Sequence, residues 1–227
     1  MSKQREYTLE EERKLVERSK LDPQAFGDLY ERYYDAIFNY IQHRVASVTD
    51  TEDLVAQVFA KALNRLWRFR WSGVSIGAWL YRIAVHEVHD HYRSKRRHPV
   101  DHLGDGDWQV AHDGRDAELN AAEELVAQHQ LFVQLHECLC TLKAEDHTLL
   151  VLRYFEGKPH KEIAEILGKR VGAVITRTSR AVAKLRRVLE SRGIDHERVG
   201  SVFAAGAQTE CLGAPLQTGI KAQATER

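Results

Sequence analysis

KEIAEILGKRVGAVITRTSRAVAKLRRVL, residues Lys161–Leu189, reads as a short helix, a tight turn and a longer helix with a basic outer face. Gly168 ends the first helix, because glycine takes a left-handed conformation without a Cβ clash. Ala164 is small where two helix axes approach closely. Val174 lies on the apolar face of the second helix, with Val171, Ala181, Leu185 and Val188 at near-helical spacing. This is the layout of a helix-turn-helix, whose second helix enters the DNA major groove. Arg170, Thr176, Arg177, Arg180 and Lys184 then face phosphates and base edges. The alternative for this segment alone is an ordinary helical hairpin with a solvated basic face.

The 227 residues are 43% hydrophobic, enough to bury one large core or two small ones. Lys+Arg and Asp+Glu both number 33, and a neutral total would ordinarily argue against nucleic acid. Here the charge is segregated. From Lys169 to Arg192 the only acid is Glu190, and from Asp101 to Glu124 the only base is Arg115. Local fields govern binding, so the segregation outweighs the sum. The three cysteines, Cys138, Cys140 and Cys211, give no disulfide framework. The N-terminus MSKQREYTLEEERK has no apolar signal core, and no apolar run reaches membrane-spanning length. The expectation is a cytoplasmic protein with no membrane insertion.

Outward from the opening segment, the signals remain helical. Residues 9–20 read as a short acidic-then-basic helix. Asp22-Pro23 opens a helix over 24–45, with Phe26, Leu29, Tyr30, Tyr33, Ile37, Phe38 and Ile41 as its apolar stripe. Thr49, Asp50 and Thr51 offer caps for a helix over 52–69, striped by Leu54, Val55, Val58, Phe59, Ala62, Leu63 and Leu66. A third helix spans about 76–96, and a second helical block about 120–189. Residues 98–120 are rich in Asp and Gly without periodicity, a mobile acidic linker. Beyond Ser191 large apolar residues become scarce, and a disordered tail is expected. The fold class is therefore all-α: two small helical domains joined by a flexible acidic linker.

The first block ends in WLYRIAVHEVHDHYRSKRR, Trp79–Arg97, which interleaves Trp79, Tyr81 and Tyr92 with Arg82, Arg93, Lys95, Arg96 and Arg97. Aromatic faces stack on unpaired bases while cations hold the backbone, a pairing suited to single strands. The bland reading makes Trp79, Leu80 and Ile83 core and the basic end merely solvated. The same stretch contains HEVHDH, His86–His91. A zinc protease needs two histidines four apart on one helix face, and here the residue four after His86 is Asp90. His136, Cys138 and Cys140 are spaced too tightly for a tetrahedral site on a helix. A metal enzyme is thus a remote alternative, and no cofactor is expected.

In AFGDLYERYYDAIFNYI, EDLVAQVFAKAL, AWLYRIA with DHYRSKRR, and LLVLRYFEGKPHKEIAEILG with VGAVITRTSRAVAKLR, the chain resembles the extracytoplasmic-function sigma factors of the sigma-70 family. The runs occur in the family's order over both blocks. The short linker, with no folded region between, resembles this group rather than primary sigma factors. The resemblance implies family region 2 at 21–97 and region 4 at 121–190, with an N-terminal extension at 1–20, the linker at 98–120 and a C-terminal extension at 191–227.

It also implies roles. Asp53, Leu54, Gln57 and Phe59 match positions that clamp the coiled coil of the RNA polymerase β′ subunit, and region 4 would meet the β flap. Phe69 and His86 match positions lining the pocket for a flipped −10 base, with Arg82, Tyr92, Arg93, Lys95, Arg96 and Arg97 along the same strand. Flipping costs a few kcal/mol of unstacking, which such a pocket must return. Arg177 and Arg180 match the family's usual recognition-helix basics at the −35 duplex, and Arg170, Thr176, Ser179 and Lys184 are expected at the same interface. Promoter DNA and core polymerase are the implied partners, an anti-sigma factor a further one, and the chain would not be an enzyme.

Several positions depart from the family pattern. His86 stands where Asn is common, leaving the identity of the captured base open. Gln57 replaces an acid. Ile175 and Val182 replace positions that are often basic. Lys143 follows Leu142 where Pro is usual. The linker acids Asp101, Asp105, Asp107, Asp113, Asp116 and Glu118 read as a solvated spacer, or as a mimic of nucleic acid in a basic channel. The rival reading from another class is a stand-alone helix-turn-helix regulator, which would not need the first block.

Overall fold

Pro23 takes the first helical position of its helix, where no N–H is needed, and the Gln24 N–H donates to Asp22 Oδ1 at 2.9 Å. The same local logic builds the rest of the computed structural model, which describes residues 8–45, 47–97 and 119–194. Among these the helices are α1 Leu9–Ser19, α2 Pro23–Val45, α3 Val48–Arg65, α4 Ile76–Arg97, α5 Leu119–Cys140, α6 Ala144–Leu150, α7 His160–Leu167 and α8 Val171–Ser191. A 3-10 turn, Leu66–Arg68, follows α3, and a π-helical turn, Val151–Phe155, follows α6. The described residues contain no strand, so the all-α expectation holds. The acidic linker and the C-terminal extension lie outside the described residues, except for 119–120 in α5 and 191–194 at the end of α8.

Helix ends differ from the expected ones where side chains compete to cap. Ser47, not Thr49, Asp50 or Thr51, caps α3: its Oγ accepts from the Asp50 N–H at 3.3 Å. Thr51 is buried and donates to the Ser47 carbonyl at 2.7 Å. The regular helix stops at Arg65, and Leu63, expected in the stripe, is 51% exposed.

Helices α1–α4 share one core, centred on Leu29, Ile37, Ile41, Val58, Leu80 and Val88. The link between α1 and α4 is Glu12, a buried carboxylate that accepts from Tyr33 Oη at 2.6 Å, Ser75 Oγ at 2.8 Å and the Ile76 N–H at 2.9 Å. It satisfies an orphan N–H at the start of α4 and stabilises the positive end of that helix. Burial, followed by the nearby Glu12 charge, pushes the Tyr33 hydroxyl up to about 12. In the second block α8 packs on α6 and α7, and α5 lies against α8.

The two blocks meet along a seam, with α4 against α7 and α2 against the π turn. Tyr81 Oη donates to Glu156 Oε2 at 2.7 Å across it. The His43 ring lies 4.5 Å from Phe155 and 5.8 Å from Phe132. Burial raises the Glu156 carboxyl to about 7, against the Tyr81 hydrogen bond and the Lys158 charge. Burial also lowers His43 and His136 to about 4, and His147 well below its usual value. Arg44 is buried beside them, and its Nε and Nη1 have no hydrogen-bond partner among the described residues.

Candidate nucleic-acid interface

The turn between α7 and α8 has the geometry read from the sequence. Gly168 adopts φ 62° and ψ 37°, and the Lys169 N–H donates back to the Ala164 carbonyl at 2.9 Å. This is the hydrogen bond of a glycine-terminated helix, and it turns the chain into α8 within three residues. Ala164 is buried where the helices meet. On α8, Val174, Thr178, Ala181, Leu185 and Leu189 face inward. Val171, placed by periodicity on that apolar face, is instead 41% exposed.

Arg170, Thr176, Ser179, Arg180 and Lys184 all lie on the exposed surface of α8. Arg177 does not stand free. Its Nε donates to Asp146 Oδ1 at 2.8 Å, and its Nη1 pairs with Glu145. Lys184 Nζ donates to Asp146 Oδ2 at 2.6 Å. Asp146 is buried at the start of α6. Burial alone would raise its carboxyl, but the hydrogen bonds from Lys184 and Arg177 outweigh it and hold the group below its usual range. Arg177 and Lys184, expected from the sequence as DNA contacts, here tie α8 to α6 while remaining partly exposed. Thr176 and Ser179 donate their hydroxyls to the helix carbonyls of Gly172 and Ile175, at 3.0 and 3.2 Å.

The residues expected along the −10 strand are spread over α4 and the loop before it. Phe69 sits in an aromatic cluster, 5.2 Å from Trp79 and 6.4 Å from Trp71. His86 is exposed and faces a groove of about 470 Å³ at the seam, shared with Val85, His89, Ile166, Lys169 and Val174. Arg82 reaches across the seam: its Nε donates to the Ile166 carbonyl at 3.0 Å and its Nη2 to that of Glu165. Both carbonyls lie at the negative end of α7, a favourable seat for a cation, and that of Glu165 also accepts from the Gly168 N–H at 3.4 Å. Tyr92 Oη donates to the Arg44 carbonyl, Arg93 pairs with Asp90 at 3.8 Å, and Lys95 pairs with Asp50 at 2.7 Å. Arg96 and Arg97 form the last turn of α4.

On α3, Asp53 and Gln57 are exposed, whereas Leu54 and Phe59 are buried. The latter two fix the helix in its core and have no free surface to offer a partner. The HEVHDH residues are drawn apart. Glu87 binds Lys61 at 2.5 Å, His89 contacts Thr148 at 3.4 Å, Asp90 pairs with Arg93, and His91 lies 3.7 Å from Asp50. Among the described residues no three His, Cys, Asp or Glu side chains group as metal ligands, and no helix is long and apolar enough to cross a membrane.

Sequence reasoning missed Asp146, Glu156, Glu12 and Arg44. Asp146 and Glu12 carry one faint signal, an acid in the first turn of a helix; Glu156 and Arg44 carry none.

Residues 29–98 match the family model described as Sigma-70 region 2, and residues 132–185 match Sigma-70, region 4. The extracytoplasmic-function RNA polymerase sigma factor BldN of Streptomyces coelicolor is 33% identical over 77% of this chain, which spans 64% of that relative's length. The RNA polymerase sigma factor YlaC of Bacillus subtilis is 32% identical over 77% of this chain and 97% of its own. The structure of CnrH in complex with the cytosolic domain of CnrY matches with TM-score 0.58 and 25% identity, over 79% of this chain and 97% of that one.

Proposed function

Because the chain belongs to the extracytoplasmic-function group of the sigma-70 family, we propose that it is an alternative sigma factor, which attaches to core RNA polymerase and directs it to promoters by their −35 and −10 elements. In this reading it works in the cytoplasm and makes or breaks no covalent bond. It contributes binding energy at three places. Region 2 comprises 21–97 and region 4 comprises 121–190. Asp53 and Gln57 on α3 offer the polymerase contact. The exposed surface of α8, with Arg180 on it and Arg170 at its N-cap, docks in the −35 major groove. The loop–α4 surface, with Phe69, His86, Tyr92, Arg93, Lys95, Arg96 and Arg97, takes the melted −10 strand. Arg82 joins that set only when α4 and α7 part, since its guanidinium is engaged with α7 in the closed arrangement. A protein that inserts between the blocks, as an anti-sigma factor, is a third partner consistent with this seam.

The observation that carries the reading is the occurrence of both family regions in one chain, in order. The test is run-off transcription by purified core polymerase, with and without the protein, on a pool of genomic promoter fragments. The expected result is protein-dependent starts that share −35 and −10 elements. No activation, combined with a specific duplex gel shift in the absence of polymerase, would replace this reading with a stand-alone regulator.

A further inference from the structure

The first two turns of α8 carry an apolar pair that nothing in the described residues covers. Val171 is 41% exposed and Ile175 is 45% exposed. Four residues apart on a helix, they lie one above the other on one face, with Cβ atoms about 5–6 Å apart. The core side of the helix is already supplied by Val174 and Thr178, so this pair is not part of the internal packing. Between them sits Gly172. A Cβ there would meet nothing within 4 Å, so internal packing does not explain a residue that weakens a helix. A glycine on an exposed face instead permits close approach of the backbone to an outside surface.

The polar chemistry on this face is limited. Arg177 is held by Asp146 and Glu145, and the Thr176 and Ser179 hydroxyl protons are spent on helix carbonyls. The exposed cations Lys169 and Arg170 stand just before the pair and Arg180 lies further along the same helix, which suits a polyanion whose recognition groups are apolar. In the DNA major groove one group fits that description, the 5-methyl of thymine. On the reading of α8 as the −35 helix, we propose that Val171 and Ile175 read thymine methyl groups. The pair would select T·A pairs no more than about two steps apart, with Gly172 letting the helix sit deep in the groove.

The test uses the full chain with core polymerase and the promoter recovered by run-off. Each −35 thymine is replaced singly by deoxyuridine, which removes only the methyl, and promoter binding is measured by competition. At one or two positions the wild-type holoenzyme should lose about fourfold per methyl. The Ile175→Ala or Val171→Ala holoenzyme should lose nothing further at its own position. Uniform indifference to deoxyuridine, or a −35 element lacking thymine opposite α8, overturns the proposal while the sigma reading stands, provided Arg180→Ala still weakens −35 use. If neither Arg180→Ala nor replacement of the −35 element changes output, the docking of α8 fails and this proposal fails with it.

Discussion

Arg82 on α4 and Arg177 on α8 carry the same sequence signature, an arginine on the outer face of a basic helix, and the structure employs them in opposite ways. Arg82 binds backbone carbonyls of the other block, so separating the blocks frees it. Arg177 binds Asp146 and Glu145 of its own block, and no movement of one block against the other releases it. One is a latch and the other a brace. A cation's availability to DNA therefore depends on which block holds its partner, not on its exposure alone.

The largest effect should come from the brace. Arg177→Ala leaves Asp146 buried with only Lys184, and should destabilise the protein by about 1–2 kcal/mol, less than a fully buried pair because the arginine is half exposed. Urea denaturation measures this, with Arg180→Ala as the contrast: it should weaken −35 use at unchanged stability. If Arg177→Ala weakened only DNA binding, the brace would be a DNA contact after all. The latch should respond next. Arg82→Ala should shift the closed-to-open balance by about 1 kcal/mol, roughly fivefold, visible as a longer distance between fluorophores placed on the two blocks. Tyr81→Phe, which removes the Glu156 hydrogen bond, should move it the same way. No change in either would mean that apolar packing alone holds the seam.

Acidity separates the seam from the brace more gently. His43 and His136 are held near 4 and His147 lower, so their contribution is present above about 6.5 and lost as pH falls toward 4. Glu156, raised to about 7, acts in the opposite sense: its contribution is complete below about 4.3 and lost as pH rises through 7. Three imidazoles outweigh one carboxyl, and the neighbouring Arg44 adds to the cost of charging them. Stability should fall from pH 6.5 to 5, and His43→Phe should flatten the slope. Arg177→Ala should leave the slope unchanged. The smallest effect is a gain: Gly172→Ala should stabilise α8 by about 0.5–1 kcal/mol, since its new methyl meets open space, while weakening −35 binding.

The helices were legible because their cores repeat every three or four residues, as at Val174, Ala181 and Leu185. The glycine turn was legible because Gly168 answers a single backbone need. Periodicity does not say which side of a helix faces a partner, so it places Val171 and Leu63 inward although both are exposed. The tie between Arg177 and Asp146 is hidden because the two lie 31 residues apart and share no pattern. The Arg82 acceptors are backbone carbonyls, which have no residue signature at all. The capping of α3 by Ser47 was obscured by three other capable residues beside it.

The Asp146 cluster also bears on how the chain responds to salt. Each DNA phosphate neutralised by a protein cation releases condensed counterions, and affinity falls with a logarithmic slope of about −0.9 per contact. Arg177 and Lys184 reach the duplex already neutralised by the two carboxylates of Asp146 and Glu145, so they displace few ions from it. The slope for −35 binding should thus be shallower by about 2 than the basic residues of α8 suggest. The apolar share of the recognition is correspondingly preserved at salt concentrations that loosen a purely cationic helix.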